Sequence, residues 1–159
     1  MRTALLLVLL SGCAGPTLTE DFFSPGEKEI VAQPDRVEVF RLTDGPISPG
    51  GRKRIEWQDW PVNGPALVAD LETARKLSTI LSDPRSFAPG PPRPSIPRPG
   101  VKVRFTRKLH SVVAMLCFDS KGATFYGSGQ QANFDPSAPE LTRLIKRLFP
   151  DDAVIQSLK

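Results

Sequence analysis

The residues from which reactive centres are usually built are nearly missing from this chain. It has one histidine, one tyrosine and two cysteines in 159 residues. So few imidazoles and thiols exclude a tetrahedral nitrogen and sulfur metal centre, which needs four such ligands. Two cysteines, Cys13 and Cys117, exclude a disulfide-stapled scaffold. Neither sign of charge dominates: 21 basic against 17 acidic residues leave +4, too little and too scattered for a nucleic-acid surface. No apolar run exceeds seven residues, whereas a bilayer-spanning helix needs about 20. Prolines are plentiful at 17, with 12 glycines, so regular elements must be few and short.

What is present begins at the N-terminus. Arg2 precedes an unbroken apolar run over residues 4–10, the charged-then-apolar layout of a secretory signal peptide. Leu10-Ser11-Gly12-Cys13 then resembles the lipobox of bacterial lipoproteins, an aliphatic residue and two small ones before a cysteine. The resemblance implies a signal peptide over residues 1–12 and cleavage before Cys13. It also implies a diacylglycerol on the Cys13 thiol and an acyl chain, such as palmitate, on the new amine. Two or more chains hold a protein on a membrane where one does not, because each buried methylene contributes about 0.8 kcal/mol. The competing reading is an ordinary signal peptide that contains a cysteine. Ala14 stands where an aspartate would mark inner-membrane retention in enteric bacteria, so the expected location is the cell envelope, at the outer membrane facing the periplasm. A lipidated Cys13 leaves Cys117 without an intramolecular partner, as a small buried hydrophobe.

Without residues 1–12 the chain has 147 residues and a charge of +3, the size of one domain with its own core. Residues 13–32 mix proline, glycine and charge without sustained periodicity and read as a lipidated N-terminus and tether, with Phe22-Phe23 the pair that would dock if any did. Residues 33–159 read as a single α+β domain. Its expected strands are "RVEVFRL" at 36–42, the alternating "VKVRFT" at 101–106, the doubly apolar "SVVAMLCF" at 111–118 and "ATFYG" at 123–127. A short edge strand is expected near Trp57, and Gly122 is expected to take the positive φ of the turn at 119–122. The spacing predicts a helix over 70–81, capped by Asp70 and buried through Leu71, Ala74, Leu77 and Leu81. A second helix follows Ser137, whose spacing to Glu140 reads as a capping box, with Leu141, Leu144, Ile145 and Leu148 as its apolar stripe. Between them, residues 84–100 carry seven prolines and read as a stiff, extended loop. The expected fold is an antiparallel sheet of about four strands with two main helices on one face.

No convergent catalytic set stands out, so no catalytic residue, metal ligand or cofactor is assigned. A thiol nucleophile at Cys117 with His110 as base is the sharpest alternative, but an odd separation on one strand puts the two on opposite faces. The scattered aspartates 119, 135, 151 and 152 match no calcium-loop spacing. A partner surface is instead expected on the basic side of the 101–106 strand, at Lys102 and Arg104, and on the proline loop, at Arg93 and Arg98. Trp57 and Trp60 beside Arg52, Lys53 and Arg54 form an aromatic and basic candidate for glycan or wall polymer. At least one of these tryptophans is expected to cover the sheet instead.

Two further resemblances exist. The "AQPDRVEVFRL" start, the Cys117-Phe118 strand end and the "LFPDD" helix end are similar to those of a group of small bacterial envelope lipoproteins to which no activity is attached. "SKGATFYGSG" distantly resembles the serine-glycine-x-x-tyrosine loop of periplasmic lysozyme inhibitors, with Lys121 inserted and the tyrosine at Tyr126. A +3 protein meets basic lysozymes with the wrong sign. The expected function is that of a membrane-anchored, non-enzymatic interaction or structural module. Its partners are membrane lipid through Cys13 and either an envelope protein or an anionic wall polymer, not nucleic acid. The alternatives are a periplasmic hydrolase or thiol enzyme using Cys117 or a carboxylate, and a lysozyme inhibitor.

Overall fold

The computed structural model describes residues 23–43, 60–93, 100–126 and 128–159. Pro34 and Asp35 end the first helix and deliver the chain into β1 (Arg36–Arg41). β3 (Gly100–Arg107), β4 (His110–Cys117) and β5 (Gly122–Tyr126) form the expected antiparallel meander. The sheet has six strands in the order β2-β1-β3-β4-β5-β6, not four. The additions are β2 (Leu67–Val68) and β6 (Gln131–Asn133), two and three residues long, too short to show any periodicity.

Register explains the core. Val37 and Val39 stand opposite Phe105 and Val103, and β4 continues that face with Val112, Ala114 and Leu116. Phe125 faces Ala114, and Ala123 lies between Leu116 and Ala132. All are buried. Against this face pack α2 (Leu71–Ser82) through Leu77, Ile80 and Leu81, and α3 (Ala138–Leu148) through Leu141, Leu144 and Ile145. Asp70 caps α2 as expected, accepting from the Thr73 amide at 2.8 Å. Leu71, by contrast, is 66% exposed, because its place in the apolar stripe is taken by Thr73, Ser78 and Ile80. A short α4 (Ala153–Gln156) adds the fully buried Ile155.

Residues 25–32, expected as tether, form another helix on the same face. α1 (Pro25–Ala32) opens with the capping box Ser24-Pro25-Gly26-Glu27: the Glu27 amide donates to Ser24 Oγ, and the Ser24 amide to Glu27 Oε2. Val31 is fully buried, and Phe23 meets Phe125 edge-to-face at 4.8 Å. The folded unit therefore extends upstream of residue 33.

Ser137 does not cap α3 with its side chain. It is the last residue of a 3-10 turn, Asp135–Ser137, that holds it in helical backbone geometry, where its side chain makes no capping bond. Its Oγ donates instead to the Ser86 carbonyl at 2.9 Å. The turn between β4 and β5 also differs from expectation: Lys121, not Gly122, takes the positive φ of 53°, and Gly122 starts the strand.

Candidate interaction site

Cys13, Trp57 and Arg98 lie outside the described residues, as does the expected edge strand near Trp57. The four remaining candidates are described, and they do not form one surface. Lys102 and Arg104 do share the second sheet face, as their alternation predicts, but that face is not a free basic stripe. Lys102 is only 7% exposed, with its ammonium 4.4 Å from the centre of the Phe40 ring. Burial, and then the neighbouring Arg104 charge, push the Lys102 pKa down. Arg104 reaches across to Glu38, its Nη2 2.7 Å from Oε2, while Arg36 takes the other oxygen of the same carboxylate at 3.0 Å. The period-2 pattern gave the face correctly but not its occupancy, because the cross-strand partners Glu38 and Phe40 lie 66 and 62 residues from Arg104 and Lys102 in sequence.

Arg93 is a latch. Its amide donates to Asn133 Oδ1 at 2.9 Å, and its Nη1 donates to Asp135 Oδ1 at 3.0 Å and to the Ser120 carbonyl at 3.1 Å. Asn133 Nδ2 donates back to the Pro91 carbonyl, and the Ala88 amide donates to the Asn133 carbonyl. The described start of the proline-rich stretch thus meets the β6 edge at Asn133 and takes up its carbonyl and side-chain amide. Trp60 is buried with Leu42 and Met115 on the second sheet face, the covering role expected of one tryptophan.

Cys117 and His110 stand at opposite ends of β4. Seven residue steps at about 3.3 Å put them roughly 23 Å apart, beyond proton-transfer reach. Cys117 is buried between Gly100 and Gly122 on the neighbouring strands, while His110 is exposed. In the strand that resembles the inhibitor loop, Gly122 to Tyr126 pair with β4 and make no loop.

A cleft of about 540 Å³ was not anticipated. It is lined by Arg41, Leu42, Thr43, Asn63, Asp151, Asp152 and Val154. Arg41 occupies the inward position that follows Val37 and Val39, yet it is charged; that parity was the available signal. Its Nε donates to Asp152 Oδ2 at 2.8 Å, and its Nη1 donates to the Leu42 and Gly100 carbonyls. Asp152 also caps α4, accepting from the Val154 and Ile155 amides at 3.0 Å each. Burial raises the Asp152 pKa, but the Ile155 amide, the Arg41 guanidinium and the Val154 amide outweigh it and hold the carboxyl below its ordinary value. Such a carboxylate stays ionised and is poorly suited to donate a proton.

The second cleft, about 500 Å³, lies between the start of α1 and the β3–β4 turn. Ser24, Gly26, Glu27 and Ile30 line one side and Arg107, Lys108 and His110 the other. Arg107 pairs with Glu29 at 3.0 Å and donates to the Gln33 carbonyl at 2.6 Å, so this side chain ties α1 to the hairpin. Compared with known proteins, the chain matches no family model, no curated protein and no solved structure.

Proposed function

We propose that this chain is a lipoprotein of the bacterial envelope, held at the membrane through Cys13, whose α+β domain serves as a non-enzymatic interaction module. The observation that carries the reading is the sequence Leu10-Ser11-Gly12-Cys13 directly after a short apolar run. The way the ionisable groups are engaged adds support. Arg41 with Asp152, Arg104 with Glu38, Arg93 with Asp135 and Arg107 with Glu29 each join separate segments of the fold. The thiol and the imidazole are far apart, and Asp152 is held as an ion, so the described groups favour binding over acid–base or nucleophilic chemistry. The partner-facing surface on this reading is the Arg41 cleft, whose rim residue Asn63 is exposed.

The test is crosslinking in living cells from the membrane-held protein, followed by identification of what is captured. One envelope protein, lost when Asn63→Trp fills the cleft, is the expected result. Capture that is indifferent to Asn63→Trp contradicts the cleft as the contact, and capture of no protein contradicts the module.

A further inference from the structure

Leu109 is the most exposed of the large apolar side chains described, at 96%, with Leu71 next at 66%. It sits at the tip of the β3–β4 hairpin, in the two-residue turn Lys108-Leu109 closed by Arg107 opposite His110. Lone exposed apolar residues are ordinary on protein surfaces. This one has a position that makes it informative. Leucine has no turn-forming property that the geometry needs, and the positive φ of this turn falls on Lys108, not on Leu109.

Ser24 and Gly26, at the start of the folded unit, line the same cleft as Lys108 and His110. The described chain therefore begins with Ser24 beside the hairpin and Phe23 against Phe125. Ten residue steps separate Cys13 from Phe23, a covalent reach of at most about 36 Å. The charges at this end are unevenly engaged. Glu27 is held in the capping box, Glu29 by Arg107, and Asp35 by the Lys108 amide at 2.7 Å. Lys108 is exposed, with no carboxylate paired to its ammonium among the described residues.

We infer that the β3–β4 turn is the face this domain lays against the lipid bilayer, with Leu109 entering the interface and Lys108 meeting a phosphate headgroup. The inference rests on the proposed anchoring of Cys13. An exposed apolar side chain beside a lysine suits an interface in which an apolar boundary lies directly beneath anionic phosphates. The β4–β5 turn at Lys121 lies beyond the far end of β4, whose eight residues span roughly 23 Å, and faces the periplasm in this orientation.

The experiment uses the mature chain, residues 13–159, with Cys13 coupled by its thiol to a maleimide-bearing phospholipid in vesicles of phosphatidylethanolamine and phosphatidylglycerol. Burial of Cys117 directs the coupling to Cys13. A photoreactive benzoylphenylalanine is placed at position 109 or at position 121, and lipid adducts are counted by mass spectrometry. The expected yield at 109 exceeds that at 121 by about ten-fold or more, the ratio that burial of one leucine supports. Equal yields, or a higher yield at 121, overturn the inference. With the probe moved to 110, Leu109→Asp lowers the adduct yield at least about five-fold, again from the loss of one buried leucine. An unchanged yield overturns the role of Leu109. Because the anchor is supplied chemically, failure here leaves the reading of Cys13 untouched, and that reading is decided separately by the mass of the native N-terminal peptide.

Discussion

The Arg41–Asp152 link joins the end of β1 to the C-terminal segment and is, among the described residues, the charged pair most removed from water, with side-chain exposures of 8% and 19%. Its contribution is separable by a double-mutant cycle. Asp152→Asn keeps a good helix cap for α4 but removes the charge that Arg41 donates to, a loss of about 2 kcal/mol for a hydrogen bond between ions. Arg41→Met removes that bond and also the donor to the Leu42 and Gly100 carbonyls, so about 3 kcal/mol is expected. If the two residues act through each other, the double variant loses about 3.5 kcal/mol, leaving a coupling energy near 1.5 kcal/mol. Urea unfolding of the mature chain without lipid measures all three. A coupling energy below about 0.5 kcal/mol refutes the reasoning, since pairs that do not interact add to within that figure. The pH dependence is a second check. The folded pKa of Asp152 lies below its unfolded value of about 4, so its contribution is full above that value and is lost as pH falls through the folded pKa. The gap between the wild-type chain and Asp152→Asn should therefore be constant near neutrality and narrow below about pH 4.

Other outcomes follow from the fold. Ser137→Ala should destabilise the domain by about 1 kcal/mol, because the buried Ser86 carbonyl loses its donor, whereas Glu140→Ala should change stability by less than about 0.5 kcal/mol in the absence of a capping box. Chemical denaturation of both variants checks this, and a larger loss at Glu140 than at Ser137 would restore the box. Deleting residues up to 32 should lower the melting temperature by roughly 10 °C or more, since it uncovers the cavity of Val31 and the contact of Phe23 with Phe125. An unchanged melting temperature would make α1 dispensable. Arg93→Ala should weaken the edge latch by about 1 kcal/mol, a half-exposed ion pair plus one bond to a carbonyl. Faster amide exchange at Ala88, against an unchanged rate at Val103, is the expected readout.

The central meander was legible because each strand carries its own pattern: alternation in β3, apolarity on both faces in β4, and a turn between β4 and β5. α2 and α3 were legible from their 3.6-residue periodicity, helped in α2 by a correct N-cap at Asp70. Other features were hidden for identifiable reasons. The serine-x-x-glutamate spacing occurs at Ser24 as well as Ser137, and the true box is the one at Ser24. Pro25 and Gly26 there read as breakers, although proline is well suited to the first helical position. At Ser137 the preceding Asp135-Pro136 turn sets a backbone geometry that spacing alone does not report. β2 and β6 exist only because longer strands present open edges to them. The candidate surface suffered most. Lys102 and Arg104 were assigned to the correct face, but cross-strand partners and burial decide whether a basic residue is available, and neither is local. Arg41, at an inward position among valines, was the legible clue to the unanticipated cleft, because a charge there requires a partner.

Anchoring at Cys13 carries the functional reading, and the most direct test is the mass of the N-terminal peptide of the protein taken from the membranes of the cell that makes it. The reading predicts a chain that begins at Cys13, with a diacylglyceryl group on its sulfur and an acyl chain on its amine. A chain that begins elsewhere, or a Cys13 that keeps its free thiol, would contradict it.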